Sequence, residues 1–445
     1  MYWYISFLRP PPVSTSNPDQ GITITPQVAN DLRTELRYEP TTIYYTWQRV
    51  IPSLSSLTAP QGLTTFIPPE STYKPLIVPL PKNVQVGESW RLGLFAQNEN
   101  SQSSNGQIND LKAKGKLETT GELLDLVNDT PNILGVWSEG IEIARPVSGL
   151  NTGAVRGIGG QKEPAVDKGK LKGKSKGKDK GKEKEKERDD RPKQGRIMRE
   201  WALPDKGKLR IAEQTSFDLD KKIWDSGLAL SAWFWKYLAG EQSLPLMCQK
   251  VFTLLKRQEK LTIVELGTGT GLVSIVLSLA LKRIASLERN IIATDLESAI
   301  PLMDENIALN NLNSQMNNTS TDHENGQEEK PKCTIIDAKV LDWDQPVPDW
   351  VNKDHPELVI AADVTYNTSA FPSLLSTLTS LLHPSSAGLS KKPLLVLAYK
   401  ERDPAERELW GMLKERGIDM VMGDEIKGAE DYGSTEIWIG RSNLL

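Results

Sequence analysis

The 445-residue chain has little cysteine and little histidine, and this limits the chemistry available to it. Its two cysteines, Cys248 and Cys333, fall on a predicted helix and a predicted strand, so the sequence offers neither a disulfide framework nor a zinc cluster. The three histidines, His323, His355 and His383, are scattered without the spacing of a ligand set. We therefore expect no metal cofactor, and a reducing compartment, with the cytoplasm as the predicted location.

The sequence also lacks a hydrophobic run long enough to cross a membrane. Its first eight residues, M-Y-W-Y-I-S-F-L, are apolar, but no basic residue precedes them, and Arg9 and three prolines follow. We interpret this run as a strand or packing arm rather than a signal peptide, and we expect no membrane partner. Hydrophobic residues make up 38% of the chain, which is low for a fully packed protein of this length and predicts that part of it is disordered.

Composition divides the chain into three parts. Residues 1–160 mix short β-like runs with prolines and a polar loop at 98–109, which predicts a β-rich N-terminal extension of unknown fold. Residues 161–200 are predicted to be a disordered Lys/Gly/Glu-rich linker, in effect a disordered basic insertion, because they cannot bury enough apolar surface to fold. Residues 205–445 are predicted to be a separate α/β domain.

The linker carries fourteen basic and six acidic residues between 168 and 196. Such a run either contacts nucleic acid or directs nuclear localisation, because clustered Lys and Arg displace counterions from phosphates, or it is a solvated insertion without a partner. The sequence favours the solvated insertion, since no aromatic residue is present to stack on bases and the acidic residues dilute the second half of the run.

The C-terminal part alternates regularly between strands and helices. After a strand at 209–212 and helices at 226–238 and 245–257, we predict strands at 261–266, 290–294, 333–340, 358–362 and 394–398, with a polar insertion at 313–332. Runs at 419–422 and 435–439 can close the sheet as an antiparallel pair. The near-continuous apolar strands indicate a parallel sheet covered on both faces, so the predicted fold is α/β, a doubly wound seven-strand sheet.

The sequence V-E-L-G-T-G-T-G-L, residues 264–272, follows the first strand of this sheet. Its glycines, Gly267, Gly269 and Gly271, suit a tight turn with positive φ in which the backbone approaches a ligand closely. A dinucleotide-binding turn would place its third glycine where Leu272 stands, so the spacing disfavours a nicotinamide cofactor.

Polar and aromatic residues follow the other strands at the edge where a doubly wound sheet binds its ligand. Asp295 is placed to accept hydrogen bonds from ribose hydroxyls. Asp342 and Trp343 suit an adenine, with the acid accepting from the exocyclic amine and the ring giving apolar contact. Beyond Ala362, at the end of the fourth strand, Asp363 and Tyr366 stand three residues apart at the mouth of the sheet.

Several of these motifs together resemble a known family. E-x-G-x-G-x-G, led by Glu265, resembles motif I of class I S-adenosylmethionine-dependent methyltransferases. With D-W at Asp342 and D-x-x-Y at Asp363, the chain resembles the seven-strand protein-lysine methyltransferases that act on elongation factors, chaperones and other non-histone proteins. W-D-S-G, beginning at Trp224, is similar to the family's segment over the methionine end of the cofactor, and Asn306, Ile307 and Asn310 match its N-I-x-x-N signature.

The resemblance covers residues 209–445 and implies a Rossmann-like methyltransferase sheet that uses S-adenosylmethionine. Trp224, Glu265, the three glycines, Asp295, Asp342, Trp343 and Ala362 would then bind the cofactor. By resemblance, Asp363 and Tyr366 would hold the substrate lysine near the transferred methyl group. Tyr399, after the fifth strand, either lines the lysine channel or packs in the core. The expected partner is a protein substrate, such as a translation elongation factor, and the chain is expected to act as a monomer.

Two other functions remain open at this point. The chain could methylate RNA or a small amine. Only the basic linker favours this function, and the absence of an N-P-P-Y-type signature at 363–366 disfavours it. It could also be a non-catalytic interaction module on a methyltransferase fold, although the retained glycines and aspartates argue against loss of cofactor binding.

Overall fold

The structure is a computed structural model, and it describes residues 2–96, 133–146, 192–203, 207–216, 218–240, 244–284, 288–312, 334–383, 392–428 and 433–443. The predicted polar loop at 98–109, the polar insertion at 313–332, Cys333 and most of the predicted linker lie outside these ranges.

The N-terminal part forms two β-sheets. Their strands are β1 (Trp3–Arg9), β2 (Ser14–Thr15), β3 (Ile22–Ala29), β4 (Thr41–Ile51), β5 (Gln61–Phe66), β6 (Leu76–Val78), β7 (Ser89–Ala96), β8 (Ile133–Leu134), β9 (Val136–Ser138), β10 (Ile141–Ile143), β11 (Arg196–Ala202) and β12 (Lys208–Gln214). One sheet has the order β6-β3-β1-β8. The other runs β12-β11-β9-β7-β10-β2, with β4 paired to β7 and β5 paired to β4. We call this part the N-terminal β domain.

The apolar N-terminal run is strand β1, as the sequence predicts. It pairs antiparallel with β3, and its Trp3, Ile5 and Phe7 are buried in one core with residues of β4 and β7, such as Trp47 and Leu92. The two sheets therefore share a hydrophobic core of their own.

The structure corrects the end of the predicted linker. The last residues of the 161–200 segment begin β11, which pairs antiparallel with both β9 and β12. The strand predicted at 209–212 is β12, and it extends the N-terminal β domain rather than the methyltransferase-like sheet. A local pattern could not reveal this, because β11 also pairs with β9, which lies much earlier in the chain. Within the β11–β12 pair, Arg199 and Glu213 form a buried ion pair at 2.5 Å.

The C-terminal part contains a seven-stranded sheet. Its strands are β13 (Leu261–Leu266), β14 (Arg289–Asp295), β15 (Thr334–Val340), β16 (Leu358–Ala362), β17 (Leu394–Tyr399), β18 (Ile418–Lys427) and β19 (Ser434–Ser442), in the order β15-β14-β13-β16-β17-β19-β18. The first five are parallel, and β19 is antiparallel to both of its neighbours. The predicted doubly wound sheet with a closing antiparallel pair is confirmed.

Helices cover both faces of this sheet. They are α1 (Asp225–Ala239), α2 (Leu246–Lys256), α3 (Leu272–Lys282), α4 (Ile300–Leu309), α5 (Asp349–Asp354), α6 (Phe371–Leu382) and α7 (Glu408–Glu415). Two apolar cores result, one on each face of the sheet. None of the helices in the described ranges is long and apolar enough to span a bilayer. The strand order reverses between β13 and β16, which is where such sheets bind ligands.

Candidate active site

A cavity of about 280 Å³ opens at the carboxyl ends of the central strands. It lies at the reversal of strand order, where the ends of β13, β14 and β16 come together. Ten of the eleven residues predicted for the site line it: Trp224, Glu265, Gly267, Gly269, Asp295, Asp342, Trp343, Ala362, Asp363 and Tyr366. The eleventh, Gly271, is not among the lining residues.

The glycine turn has the conformation that its sequence predicts. Gly267, Gly269 and Gly271 have φ of +60°, +58° and +85°, values that residues with a Cβ rarely adopt. A Cβ on Gly267 would lie 3.0 Å from the Val364 side chain, and one on Gly269 would lie 3.2 Å from the Asp220 carbonyl oxygen. The first two glycines keep the cavity wall open, whereas Gly271 is the left-handed residue from which α3 begins.

Two acids stand beside this turn. The Asp295 carboxylate accepts hydrogen bonds from the backbone N–H of Gly269 at 2.8 Å and from that of Leu296 at 2.7 Å. Glu265 is fully buried and accepts a hydrogen bond from the Ser274 hydroxyl. Burial raises the pKa of Glu265 to about 8 and also raises the pKa of Asp295. A cation bound in the cavity would favour the ionised form of both acids.

The cavity is also lined by an indole ring and a further carboxylate. A Cβ on Gly267 would lie 3.4 Å from the Trp343 ring, so this indole packs directly against the glycine turn. The neighbouring Asp342 accepts a hydrogen bond from the Asp344 backbone N–H at 2.9 Å. An apolar ring next to a hydrogen-bond acceptor is the chemistry that the sequence suggested for an adenine.

The segment W-D-S-G leads into α1. Trp224 caps this helix, lines the cavity, and donates its indole N–H to the Leu219 carbonyl at 3.0 Å. Lys222, two residues before this segment, is buried, and burial lowers its pKa to about 8. The segment therefore forms the wall of the cavity that faces the N-terminal β domain.

Asp363 and Tyr366 differ in their surroundings. Asp363 is buried with φ of +56°, and its carboxylate accepts hydrogen bonds from the Ser226 backbone N–H at 2.9 Å and from the Arg402 guanidinium. Tyr366 is 58% exposed at the mouth of the cavity. A non-glycine residue with positive φ at a functional site is strained, and the bonds to Ser226 and Arg402 hold it there.

The N-I-x-x-N signature connects the two parts of the chain. The Asn306 side chain bonds both backbone groups of Ala212, at 2.7 and 3.0 Å, and also the Thr270 carbonyl of the glycine turn at 2.8 Å. Asn310 bonds the backbone of Arg210 in the same way. These side-chain amides form hydrogen bonds with the backbone groups at the edge of β12 and so link β12 to α4, next to the glycine turn.

The alternatives for Tyr399 are resolved in favour of packing. Its side chain is fully buried, its ring lies 4.7 Å from that of Trp410, and it does not line the cavity. In the same loop, Arg402 contacts Asp363 and Trp224 of the site, and Lys400 contacts Asp225 next to it, although the sequence did not single them out. Their partners are carboxylates far away in the chain, such as Asp31, so no local pattern marks them.

The residues of the cavity fit S-adenosylmethionine. The glycines leave space that a Cβ would fill. Asp295 and Asp342 supply hydrogen-bond acceptors, and Trp343 supplies an apolar face. A bound cation would stabilise the ionised form of the buried Glu265. When bound, S-adenosylmethionine supplies a methyl group activated by its sulfonium. The fold and the cavity together define a class I S-adenosylmethionine-dependent methyltransferase.

Comparison with known proteins narrows this class. Residues 203–416, just under half of the chain, match the family model described as lysine methyltransferase. The matched residues contain every site residue named above in the C-terminal part. The family match begins at residue 203, just before β12, so this strand, which extends the N-terminal sheet, lies within the matched region.

Two curated relatives are protein-lysine N-methyltransferases. The chain is 27% identical over 218 residues to EFM6 of Saccharomyces cerevisiae, covering 47% of this chain and 75% of that protein. It is 25% identical over 217 residues to EEF2KMT of Homo sapiens, covering 48% of this chain and 56% of that protein. A solved S-adenosylmethionine-dependent methyltransferase from Aquifex aeolicus is 16% identical, with a TM-score of 0.28, covering 44% of this chain and 90% of that one.

Proposed function

We propose that the chain transfers a methyl group from S-adenosylmethionine to a lysine side chain of a non-histone protein. The observation that carries this proposal is the position of the D-x-x-Y residues. Asp363 and Tyr366 stand at the mouth of the same cavity whose floor is the glycine turn. The lysine methyltransferase family match, which spans both, supports a lysine as the acceptor.

The site residues divide into two groups in this proposal. Trp224, Glu265, Gly267, Gly269, Asp295, Asp342, Trp343 and Ala362 hold the cofactor, and Gly271 shapes the turn from outside the cavity. Tyr366, the exposed member of the D-x-x-Y motif, contacts the incoming lysine. Asp363 is held by Arg402 and by the start of α1, so it fixes the geometry of the entrance next to Trp224.

The chain has two tasks in the reaction. An amine attacks a sulfonium methyl in line, so the protein must align the two groups and accept the lysine in its neutral form. A lysine in water has a pKa of about 10.4 and is almost entirely charged at neutral pH. Transfer from water to an entrance lined by the Trp224 and Tyr366 rings disfavours the charged form, because desolvation lowers the pKa of an amine.

The protein substrate is a translation elongation factor in this proposal, which rests on the motif set that the chain shares with relatives of that kind. The chain acts as a monomer in the cytoplasm. The basic composition of the linker leaves two alternatives: the chain could be located in the nucleus, and the linker could contact a nucleic acid. Residues 161–190 lie outside the described ranges, so composition alone bears on them.

The test uses the full chain and a lysate from cells that lack it. Purified protein and labelled S-adenosylmethionine are added, and portions are then treated with protease or with ribonuclease. We expect label in a discrete protein band that protease removes and ribonuclease leaves. Label that only ribonuclease removes, or that stays in small molecules, would identify the RNA or small-amine alternative.

Calorimetry with S-adenosylmethionine, run on the same preparation, tests the interaction module. A folded preparation that neither binds S-adenosylmethionine nor transfers a methyl group would identify the module. The proposal expects binding together with transfer.

A further inference from the structure

A buried cluster of five charged side chains joins the N-terminal β domain to the methyltransferase cavity. Asp31 comes from the N-terminal β domain, Asp225 begins α1, Asp363 belongs to the D-x-x-Y motif, and Lys400 and Arg402 follow β17. All three carboxylates are buried, and Asp31 and Asp225 have no exposed side-chain surface. Buried charges are expensive unless they are paired, so the five positions are held together as a unit.

Arg402 is the bridge between the two domains. One guanidinium nitrogen donates to the Asp31 carboxylate at 2.8 Å, and the other donates to the Asp363 carboxylate. The guanidinium also lies 5.5 Å from the ring centroid of Trp224, which lines the cavity. A planar guanidinium with fixed N–H directions transmits orientation between its partners, which a flexible ammonium does not.

Asp31 is itself held rigidly by its own turn. It follows β3, in a turn closed by a hydrogen bond from the Arg33 backbone N–H to the Asn30 carbonyl at 3.1 Å. The Asn30 side chain accepts from the backbone N–H groups of Thr34 and Glu35, at 2.9 and 3.2 Å. The Asp31 carboxylate is therefore presented to Arg402 from a preorganised loop.

The N-terminal β domain also forms hydrogen bonds with the start of α1. The Asp225 backbone N–H donates to Asp31 at 3.2 Å, and the Asp225 carboxylate accepts from the Tyr4 hydroxyl at 2.8 Å and from the Tyr2 backbone N–H at 3.1 Å. Lys400 donates to Asp225 at 2.5 Å. Because Asp225 follows Trp224 directly, these bonds fix the residue that forms the cavity wall.

Charge supports this arrangement. Burial alone would raise the pKa of Asp31, but Arg402 and Lys400 outweigh it and lower that pKa. Asp31 is therefore ionised at neutral pH and acts as a permanent partner of Arg402.

We propose that Asp31 is a positioning residue for methyl transfer, acting through Arg402 on Asp363 at the acceptor entrance. The N-terminal β domain is then a component of the active site rather than an accessory. This inference rests on the proposed function for the identity of the acceptor, but it applies to any acceptor that enters past Asp363 and Trp224.

The test compares Asp31→Asn with the matched control Glu200→Gln in the full chain. Glu200 is also a buried carboxylate of the N-terminal β domain, paired with Arg91 at 2.6 Å, but it does not contact the cavity. We expect Asp31→Asn to lower kcat at least tenfold and leave the dissociation constant of S-adenosylmethionine within about twofold. Glu200→Gln should keep the kcat of the wild type. Equal kcat for Asp31→Asn and the wild type, or equal losses in both variants, would overturn the inference.

A second variant covers the case in which Asp31→Asn does not fold. Arg402→Lys keeps the positive charge but cannot donate in the fork geometry that joins two carboxylates. We expect it to lower kcat by a similar factor while cofactor binding is kept, and adding Asp31→Asn to it should lower kcat no further where both fold. An Arg402→Lys variant with wild-type kcat, or losses in kcat that multiply, would contradict action through Arg402.

Failure of this inference is distinguishable from failure of the proposed function. The acceptor labelled by the wild-type chain tests the proposed function. The ratio of variant to wild-type kcat, measured on whichever acceptor is labelled, tests the role of Asp31. If the wild type labels no acceptor but binds S-adenosylmethionine, both proposals are overturned, because neither a methyl acceptor nor a methyl-transfer step then exists.

Discussion

The carboxylate of Asp295 accepts a hydrogen bond from the backbone N–H of Gly269 at 2.8 Å. The end of the second parallel strand is thereby tied to the glycine turn at the end of the first. The predicted acceptor for a ribose and the glycine turn proposed to leave room for the rest of the cofactor are thus parts of one unit. A change in either residue should therefore affect cofactor binding before it affects anything else.

Replacing Gly269 with alanine should weaken cofactor binding. The residue has φ of +58°, and a new Cβ would lie 3.2 Å from the Asp220 carbonyl oxygen, so the turn must move. A side chain in this left-handed conformation costs about 1–2 kcal/mol. We expect the dissociation constant of S-adenosylmethionine, measured by calorimetry, to rise roughly tenfold or more.

The matched control is Gly411→Ala. A Cβ there meets no atom within 4 Å, and the residue lies within α7. Binding should be unchanged in this variant, and stability should rise slightly because alanine favours helix. Unchanged binding in Gly269→Ala would show that the cofactor does not depend on this turn.

Replacing Asp295 with alanine removes both the predicted ribose acceptor and the bond to Gly269. Loss of a hydrogen bond to a charged group costs about 1.5–3 kcal/mol, so affinity for S-adenosylmethionine should fall roughly tenfold to a hundredfold. Glu297→Ala is the control, since this carboxylate is exposed in the same loop. An Asp295→Ala variant that binds as tightly as Glu297→Ala would remove Asp295 from the cofactor site.

The stability of the cofactor-free protein should depend on pH through Glu265. Burial raises the pKa of this carboxyl from 4.5 to about 8, so between these values the folded protein holds a proton that the unfolded chain has lost. The free energy of unfolding therefore falls as pH rises through this window, and the contribution is fully present only below about 4.5.

Urea unfolding at pH 5.5 and pH 7.5 measures this effect, with Glu265→Gln as the reference that cannot ionise. The wild type should lose on the order of 2 kcal/mol more than the variant between the two pH values. The same change in both proteins would mean that Glu265 is not held neutral.

Replacing Tyr366 with phenylalanine should separate transfer from cofactor binding. Burial, with the charges of Asp295 and Asp220, raises the pKa of Tyr366, so its hydroxyl stays neutral at neutral pH and can accept a hydrogen bond from an amine N–H. We expect methyl transfer to fall roughly a hundredfold to a thousandfold, as when one preorganised hydrogen-bonding group is lost, while the affinity for S-adenosylmethionine stays the same.

Tyr38→Phe serves as the control, because this tyrosine is exposed on the N-terminal β domain and does not line the cavity. It should retain full transfer. Full transfer by Tyr366→Phe would exclude its hydroxyl from the reaction.

The parts of the fold that the sequence predicts well are those fixed by local pattern. The strand Leu261–Leu266 is mostly apolar and is followed by glycines at alternate positions, so its pattern already implies a buried parallel strand and a turn with positive φ. Asp295, Asp342 and Asp363 could be assigned to the site because parallel strands bring their carboxyl ends to one edge of a sheet.

The N-terminal β domain could not be predicted in the same way. Several of its strands have only two or three residues, such as Ser14–Thr15 and Ile141–Ile143, and their order depends on pairings between distant segments. Asp31 and Arg402 are 371 residues apart, and in the sequence each looks like an ordinary surface charge. Only the folded chain shows that both are buried against the active site.

Identification of the labelled amino acid tests the central claim most directly. The protein band labelled by the wild-type chain and S-adenosylmethionine is hydrolysed, and the label is separated by chromatography against methylated amino acid standards. The account predicts that the label is recovered in methylated lysine, and that a Tyr366→Phe reaction run in parallel yields at most about a hundredth as much. Label in methylarginine, in a methylated terminal amine or in no amino acid would contradict it.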